Sequence, residues 1–319
     1  MAQSAADTGQ GPTGIIAIEQ FLPEKERVIN DDLARKILPL VARAFLGFMR
    51  FKGLRDWTIK HSEKKFPGTW AMALCRKRYI EDKAVEAIKG QVEAVVNLGA
   101  GFDTLAYRVP ALANVLVCEV DQPINIEAKR KRLAKVLGKI PSHVTLVPID
   151  FDQQDLFSVL ASHGHGIDKR SLFILEGVTQ YVTEAGVRQT FDFLSKAPSG
   201  SRLVFTYVRK DFLYGKNLYN CNELYKKFVQ KDKIWKFSID PDRIPSFIGN
   251  YGWRVIEHVG YDDLDDRFVK PTGRRLASLP IERLVYAEKM WTIMDIHLTN
   301  ACTGYPFRFA PRSPVNRGP

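Results

Sequence analysis

Five short runs of apolar, largely β-branched residues recur at near-regular intervals in the middle of the chain. They occupy positions 94–99, 115–120, 144–149, 172–177 and 202–208. The stretches between them, such as DTLAYRVPAL and INIEAKRKRLAKVLG, carry apolar residues at helical spacing and are too long for hairpin turns. This alternation is typical of a parallel sheet with helices on both faces. It predicts a doubly wound α/β core.

Two later apolar segments, at 253–261 and 289–298, are predicted to pair as a hairpin at the sheet edge. They would complete a mostly parallel sheet of seven strands. Before the core, residues 15–90 have a helical pattern and many aromatic side chains, and an aromatic and basic insertion follows the fifth strand. Both flanking regions are placed to cover the carboxyl edge of the sheet, where open α/β sheets bind ligands.

The chain is therefore expected to have six parts. They are a flexible lead (1–14), a helical lid region (15–90), a cofactor-binding α/β core (91–208), a substrate-cap insertion (209–250), the closing strands (251–300) and a loose tail (301–319). The lead lacks the basic and apolar regions of a signal peptide, and no apolar run approaches the roughly 18 to 20 residues of a membrane span. We expect a cytoplasmic protein without a membrane partner.

Charge and cysteine content narrow the possible partners. The formal charge of +11 raises the possibility of nucleic acid as a partner. The densest basic run, EAKRKRLAKVLGK, has apolar residues at helical spacing, which favours the solvated face of an amphipathic helix and makes a nucleic-acid partner unlikely on this evidence. The four cysteines are far apart and lack metal-ligand spacing, so we expect reduced thiols and no metal site.

A glycine turn follows the first predicted strand in VVNLGAGFDTLAYR. Gly99, Ala100 and Gly101 let backbone N–H groups approach a ligand, but Thr104 stands where a dinucleotide fingerprint needs its third glycine. Asp103 at the mouth of the next helix would repel a diphosphate and suits an ammonium or sulfonium group. S-Adenosylmethionine carries both groups and no phosphate, so it is the preferred cofactor over NAD.

Carboxylates also follow the next predicted strands. Asp121 lies 20 residues after Gly101, the spacing of a ribose acceptor in both NAD and S-adenosylmethionine sites. Asp150 can accept from an adenine amino group, with Phe151 packed on the ring, or it can cap the next helix. Glu176 ends the fourth strand at the same crevice. An acidic crevice in a basic protein fits a cationic cofactor.

These residues also carry a family resemblance. The segments VVNLGAGFDTLAYR, CEVDQP, PIDF and ILEGVTQYVT, in this order and spacing, resemble the leucine carboxyl methyltransferase family, and within it the bacterial and fungal branch that acts on small molecules. The upstream segments RVINDDLARKIL and CRKRYIEDKAVEAI resemble the lead-in helices of that family. The resemblance covers residues 27–210 and implies a Rossmann-like class I methyltransferase that uses S-adenosylmethionine.

The resemblance also implies site residues by position. Arg76 would reach the methionine carboxylate, with Lys77 and Arg78 as alternatives, and Glu176 would meet the methionine amino group. The turn at Gly99 and Gly101 would hold the cofactor, Asp121 its ribose, and Asp150 and Phe151 its adenine. Tyr181 either lines the substrate pocket or packs under the lid, and no catalytic base can be named.

The expected function is O-methylation of a carboxylate or hydroxyl on a small, partly apolar metabolite, aromatic or polyketide-like, in secondary metabolism. The alternatives are an RNA-directed or protein carboxyl methyltransferase, a non-catalytic cofactor-binding protein, and an NAD-dependent oxidoreductase. A carboxylate needs no base to attack the activated methyl group, which mildly favours an acidic oxygen as nucleophile. Whether the chain forms a homo-oligomer is left open.

Overall fold

The computed structural model describes residues 10–150, 153–277 and 279–290. Its centre is a seven-stranded sheet with the strand order β3-β2-β1-β4-β5-β7-β6. Six strands run in the same direction, and β7 runs in the opposite direction between β5 and β6. The strands are β1 (Ala94–Leu98), β2 (Leu116–Asp121), β3 (Val144–Pro148), β4 (Ser171–Leu175), β5 (Arg202–Val208), β6 (Trp253–Val259) and β7 (Glu282–Lys289). The predicted fold class, a doubly wound and mostly parallel seven-stranded sheet, is confirmed.

The central strands are buried on both faces. All five residues of β1 and all five of β4 are buried, and separate apolar clusters pack on the two sides of the sheet. Continuous apolar runs of this kind are what parallel strands between two helical layers require. The order of connections reverses between β1 and β4, so a crevice opens at their carboxyl ends, where such sheets bind ligands.

The helices follow the predicted alternation in the core and dominate the N-terminal region. They are α1 (Gln10–Glu19), α2 (Asp32–Ile37), α3 (Leu40–Gly47), α4 (Lys52–Lys65), α5 (Thr69–Lys89), α6 (Leu105–Arg108), α7 (Pro123–Leu137), α8 (Leu156–Ser162), α9 (Glu184–Leu194), α10 (Lys210–Leu213), α11 (Asn222–Leu224), α12 (Ile244–Gly249) and α13 (Tyr261–Leu264). A π-helix (Tyr225–Lys231) continues α11. No helix in these described ranges is long and apolar enough to cross a bilayer.

The predicted second strand of the late hairpin is wrong. The partner of β6 is β7, not the segment 289–298, of which residues 291–298 lie outside the described part of the chain. The strand was missed because charged residues at both its ends interrupt the apolar pattern of ERLVYAEK. Its middle residues, Leu284 to Ala287, are nevertheless fully buried against β5 and β6.

The basic run at 127–139 lies mostly on α7, as predicted. Ile126 and Leu133 are buried, while Lys131 and Arg130 are exposed to solvent. Lys129 is the exception, because it is fully buried and its Nζ lies 2.7 Å from Glu119 Oε2. The run is therefore mainly a solvated helix face.

One contact joins the N-terminal helices to the turn after β1, and a second joins α4 to the start of α5. Asp31 caps α2 by accepting from the Ala34 amide at 2.9 Å, and its other oxygen accepts from the Thr104 hydroxyl in the turn after β1. Glu63 accepts from the amides of Gly68 and Trp70, both at 2.9 Å, and so satisfies the start of α5. α5 thereby begins at a fixed point and runs along the sheet.

Candidate cofactor and active site

The turn after β1 contains two glycines with different surroundings. Gly99 has a φ of 76°, and a Cβ there would lie 2.4 Å from Val178 Cγ2. Gly101 has a φ of 44°, and a Cβ there would meet no atom within 4 Å. Packing against the loop after β4 therefore requires Gly99. Gly101 instead leaves an open space beside the backbone, which we call the cradle.

Asp121 at the end of β2 is joined to this turn. Its Oδ2 accepts from the Gly101 amide at 2.7 Å, and its Oδ1 accepts from the Gln122 amide and from Asn125 Nδ2, both at 2.7 Å. A carboxylate has about four lone-pair sites, so three donors leave about one for a ligand. The predicted ribose acceptor is therefore at the crevice, but it is already largely occupied by the protein.

Arg76 projects from α5 between two carboxylates. Its Nε donates to Glu176 Oε1 at 2.8 Å, and its Nη1 donates to Glu282 Oε1 at 2.9 Å and Oε2 at 3.1 Å. Burial opposes the charge of the guanidinium, but Glu282 and Glu176 raise the pKa of Arg76 above its ordinary value. Among the described residues no acceptor bonds to Nη2, while Nε and Nη1 are both paired with carboxylates.

Lys77 lies on the other side of Glu176. Its Nζ is 2.6 Å from Glu176 Oε2 and also donates to Asp103 Oδ2. Burial alone would raise the pKa of the Asp103 carboxyl, but the ammonium groups of Lys77 and Lys129 lower it to about 2. Asp103 also accepts from the Leu105 amide at 2.5 Å, which places it at the start of α6 as predicted.

Together these five side chains form a buried charge cluster: Arg76, Lys77, Asp103, Glu176 and Glu282. Three carboxylates and two cations give it a net formal charge of −1. Methionine linked through a sulfonium carries one carboxylate, one ammonium and one sulfonium, a net charge of +1. Because an isolated buried charge is costly, the cluster suits a ligand of this charge better than a diphosphate.

Sequence reasoning did not select two members of the cluster as site residues. Lys77 was an alternative to Arg76, and the structure brings both to Glu176. Glu282 gave no signal, because it lies 206 residues from Arg76 on a strand that the pattern missed. Arg78, the other alternative, points away and pairs with Asp82 on its own helix.

Glu119 lies on β2, two residues before Asp121, and its carboxylate is paired within the protein. Its Oε2 accepts from the Tyr107 hydroxyl at 2.7 Å and lies 2.7 Å from Lys129 Nζ. Burial raises the pKa of its carboxyl despite the neighbouring Lys129. The nearby Asp103 carboxylate raises the pKa of Glu119 further.

Asp150 and Phe151, the predicted adenine contacts, follow β3. The Asp150 amide donates to Gln154 Oε1 at 2.9 Å, and α8 is capped by Asp155, whose Oδ2 accepts from the Ser158 amide at 2.8 Å. The alternative role for Asp150, capping the next helix, is thus taken by Asp155. Phe151 lies outside the described residues. Tyr181 is half-buried at the end of a 3-10 turn, Thr179–Tyr181, that follows Glu176.

Similar proteins identify the family of this chain. A family model described as leucine carboxyl methyltransferase matches residues 11–195. "Putative S-adenosyl-L-methionine-dependent methyltransferase YktD" of Bacillus subtilis is 30% identical over 207 residues, which are 64% of this chain and 67% of that protein. A relative of the same description in Mycobacterium avium is 30% identical over 206 residues, 63% of this chain and 67% of its own.

A solved structure shares the fold. The crystal structure of a "putative methyltransferase" from Thermobifida fusca matches 73% of this chain and 86% of its own with a TM-score of 0.53, at 16% sequence identity. That likeness concerns the architecture, while the sequence matches concern the family and its cofactor. The chain belongs to the leucine carboxyl methyltransferase family and is an S-adenosylmethionine-dependent methyltransferase.

Proposed function

We propose that this methyltransferase O-methylates a carboxylate or hydroxyl group of a small, partly apolar molecule, bound between the lid region and the insertion after β5. The observation that carries the proposal is the substrate-cap insertion (209–250), called the aromatic cap from here on, which contacts the turn after Glu176. The cap is anchored to the 3-10 turn after Glu176, because the Lys236 amide donates to the Gln180 carbonyl at 2.6 Å. An acceptor held there would be next to the methionine end of the cofactor.

The cap combines packed aromatic rings with buried polar atoms that lack partners. Phe228 stacks on Trp235 with ring centroids 5.0 Å apart, and Phe212 meets Tyr225 edge to face at 5.5 Å. Gln180 Oε1 and Trp235 Nε1 are buried without a partner in the described part of the chain. Because buried polar atoms are normally hydrogen-bonded, we assign these two atoms to the acceptor, with Tyr181 as a further pocket residue.

The cofactor would be held by residues of the crevice. Arg76 Nη2 would take its carboxylate, Glu176 and Asp103 its cationic groups, Asp121 its ribose, and Asp150 and Phe151 its adenine. Gly101 would give the backbone room to approach it, next to Gly99 and Ala100 in the same turn. The charge of the cluster and the open cradle at Gly101 fit this group.

S-Adenosylmethionine supplies a methyl group already activated by its sulfonium. The protein's task is then to align the acceptor oxygen and to exclude water. The described histidines all have other surroundings: His61 stacks on Trp57, His143 bonds to the Ala106 carbonyl, His163 and His165 belong to the loop after α8, and His258 bonds to Tyr207. A carboxylate acceptor needs no base, so we favour it over a hydroxyl.

The test is transfer of a labelled methyl group to matched acceptors. Arylalkyl carboxylic acids, phenols and amines of the same skeleton are offered to the purified protein, and the product is treated with mild base, which hydrolyses methyl esters but not ethers or N-methyl groups. We expect a base-labile product. A label on nitrogen, on carbon, on tRNA or on a peptide C-terminus would overturn the proposed acceptor.

A variant pair controls for the site. Asp121→Asn keeps the size of the side chain but removes its charge, and should reduce transfer at least tenfold by raising the KM for S-adenosylmethionine. Asp155→Asn is the matched control, because Asn also caps helices and the residue lies at the start of α8. Equal activity of the two variants would contradict the assignment of Asp121.

A further inference from the structure

The N-terminal helices expose an unusual amount of apolar surface. We call residues 40–65 the lid hairpin; it comprises α3, a 3-10 turn (Phe48–Arg50) and α4. Half of the large apolar side chains exposed in the described ranges lie in its first 18 residues, and Val41 is 82% exposed and Leu40 78%. The others are Phe45, Phe48, Phe51, Leu54 and Trp57.

These side chains are arranged as a surface rather than scattered. Val41, Phe45 and Phe48 follow one another at spacings of four and three residues, so they share one side of α3 and the turn after it. Leu54 and Trp57 continue the pattern on α4. Leu46 and Met49 are buried in the core, and Ala42 and Ile59 pack against it, so these residues hold the hairpin to the body. Contiguous exposed patches of this kind mark interaction sites.

The charge around the patch restricts its partner. Residues 35–65 contain nine Lys and Arg and two Asp and Glu, a net formal charge of +7 against +11 for the whole chain. The two acidic residues are engaged, Asp56 with Lys52 and Glu63 with the start of α5. A second copy of the chain would bring the same positive charge to the contact, so an anionic partner is favoured.

The basic surface continues onto the insertion. A cleft of about 620 Å³ separates the end of α4 from the π-helix. Four lysines, two acidic residues, a glutamine and an aromatic ring line it: Lys65, Lys226, Lys227, Lys231, Glu223, Asp232, Gln230 and Phe66. Lys226 pairs with Glu223, but Lys65 and Lys227 lie over the ring of Phe66. The four lysines outnumber the two acidic residues, so the cleft at the end of the lid hairpin has a net positive formal charge.

We propose that the lid hairpin binds the surface of an anionic phospholipid bilayer. Aromatic and aliphatic side chains rimmed by Lys and Arg are the composition of helices that lie at the boundary between headgroups and acyl chains. Nucleic acid would match the charge but would not bury Leu40 and Val41. The chain's own residues 291–319 carry three Arg and one Asp, so they too would be repelled.

This inference differs from the expectation that the protein has no membrane partner, and it needs no membrane span. It also does not depend on the acceptor proposed above, because it concerns binding alone. The cap at Glu63 joins the lid hairpin to α5, and Arg76 lies only about 12 Å along that helix from its start. A bilayer-bound hairpin would therefore be joined directly to the helix that carries Arg76.

The test is co-sedimentation of the full-length protein with phosphatidylcholine vesicles that contain or lack phosphatidylserine. We expect at least tenfold stronger binding to the anionic vesicles, weakening as salt screens the charges. The triple variant Phe45→Ser, Phe48→Ser, Trp57→Ser should lose at least tenfold of that binding. The double variant Ile124→Ser, Ile256→Ser, which changes exposed apolar residues elsewhere, should bind as the wild type does.

Further measurements separate the proposal from its rivals. Trp57 fluorescence should shift to the blue on anionic vesicles, and Trp57→Phe should remove the shift. All substituted residues are exposed, so thermal unfolding and S-adenosylhomocysteine affinity should be unchanged. Equal binding to neutral vesicles, or unaltered binding by the triple variant, would overturn the proposal. The proposal would also be overturned if the triple variant abolished a dimer or a complex with tRNA but still bound anionic vesicles.

Discussion

The two glycines after β1 illustrate how one turn serves both packing and binding. Both have positive φ, so any L-residue there is strained by about 1 kcal/mol. Only at Gly99 does a Cβ also collide with the protein, at Val178. Stability and ligand binding should therefore respond to different glycines.

We predict that Gly99→Ala lowers the free energy of unfolding by about 3 kcal/mol, from backbone strain and overpacking together. Gly101→Ala should cost about 1 kcal/mol, yet weaken S-adenosylhomocysteine binding at least tenfold, because its methyl group enters the cradle. Chemical denaturation and calorimetric titration measure the two effects.

The control is Val178→Ala, which removes the colliding methyl groups. In that background Gly99→Ala should cost only the backbone strain, about 1 kcal/mol. Wild-type ligand affinity in Gly101→Ala would show that the cofactor does not use the cradle.

At the scale of elements, a single histidine joins the three strands at one edge of the sheet. His258 Nε2 on β6 lies 2.8 Å from the Tyr207 hydroxyl of β5, and Arg283 Nε of β7 donates to the same nitrogen at 3.2 Å. The imidazole accepts both bonds only when Nε2 is unprotonated. Burial and then the charge of Arg283 lower the pKa of His258 to about 4.

This pKa predicts a pH dependence of stability. The unfolded chain takes up a proton near the ordinary histidine pKa of about 6.5, while the folded chain does so only near 4, so stability is lost as the pH falls through this window. Because the ring is half-exposed, the loss should be about 2 kcal/mol or less. Denaturation at pH 7 and at pH 4.5 measures it.

The comparison variant is His258→Gln, which can still accept from Tyr207 but does not titrate. It should lack the part of the pH dependence between 6.5 and 4 that the wild type shows. An identical slope in both proteins would mean that other groups, not His258, bind the protons.

Elements with a local signal could be predicted, and those without one could not. The core strands were predicted because each is a continuous apolar run. The positions of Asp103 and Asp121 were predicted because the end of a parallel strand fixes the edge of the sheet at which they lie. β7 was missed because charges flank its short apolar centre. Glu282 reaches Arg76 only through the antiparallel return of that strand, a tertiary pairing that leaves no trace in nearby sequence.

At the scale of the whole molecule, buried polar contacts join the first helices to the last elements of the described chain. Tyr79 on α5 donates to Glu257 Oε2 on β6 at 2.9 Å, and Tyr261 donates to the Met72 carbonyl at 3.0 Å. Of these contacts, the one between the residues farthest apart in the sequence is that of Arg274 with Glu19, in which Arg274 Nη1 donates to Glu19 Oε1 at 2.6 Å. The lid region is thus held to the sheet from both ends of the described chain.

The ion pair between Glu19 and Arg274 supports a prediction about the stability of the whole molecule. Glu19 is fully buried, and its Oε1 also accepts from the Val28 amide at 2.8 Å, while burial raises the pKa of its carboxyl despite Arg274. Arg274→Met would leave that carboxylate buried without its cation. We expect this to lower the free energy of unfolding by about 3 kcal/mol at neutral pH, because breaking a buried pair costs more than the pair contributes.

Two further variants distinguish loss of the charge pair from loss of packing. Glu19→Gln added to Arg274→Met should restore most of the stability, since the amide oxygen still accepts from Val28 and carries no charge. A raised folded pKa means that stability falls as the pH rises above the ordinary carboxyl value, so the defect of Arg274→Met should shrink towards pH 4.5. Arg275→Met, an exposed neighbour, is the control. If Glu19→Gln fails to rescue, the arginine stabilises the molecule through its packing and its bond to the Glu26 carbonyl rather than through the buried carboxylate.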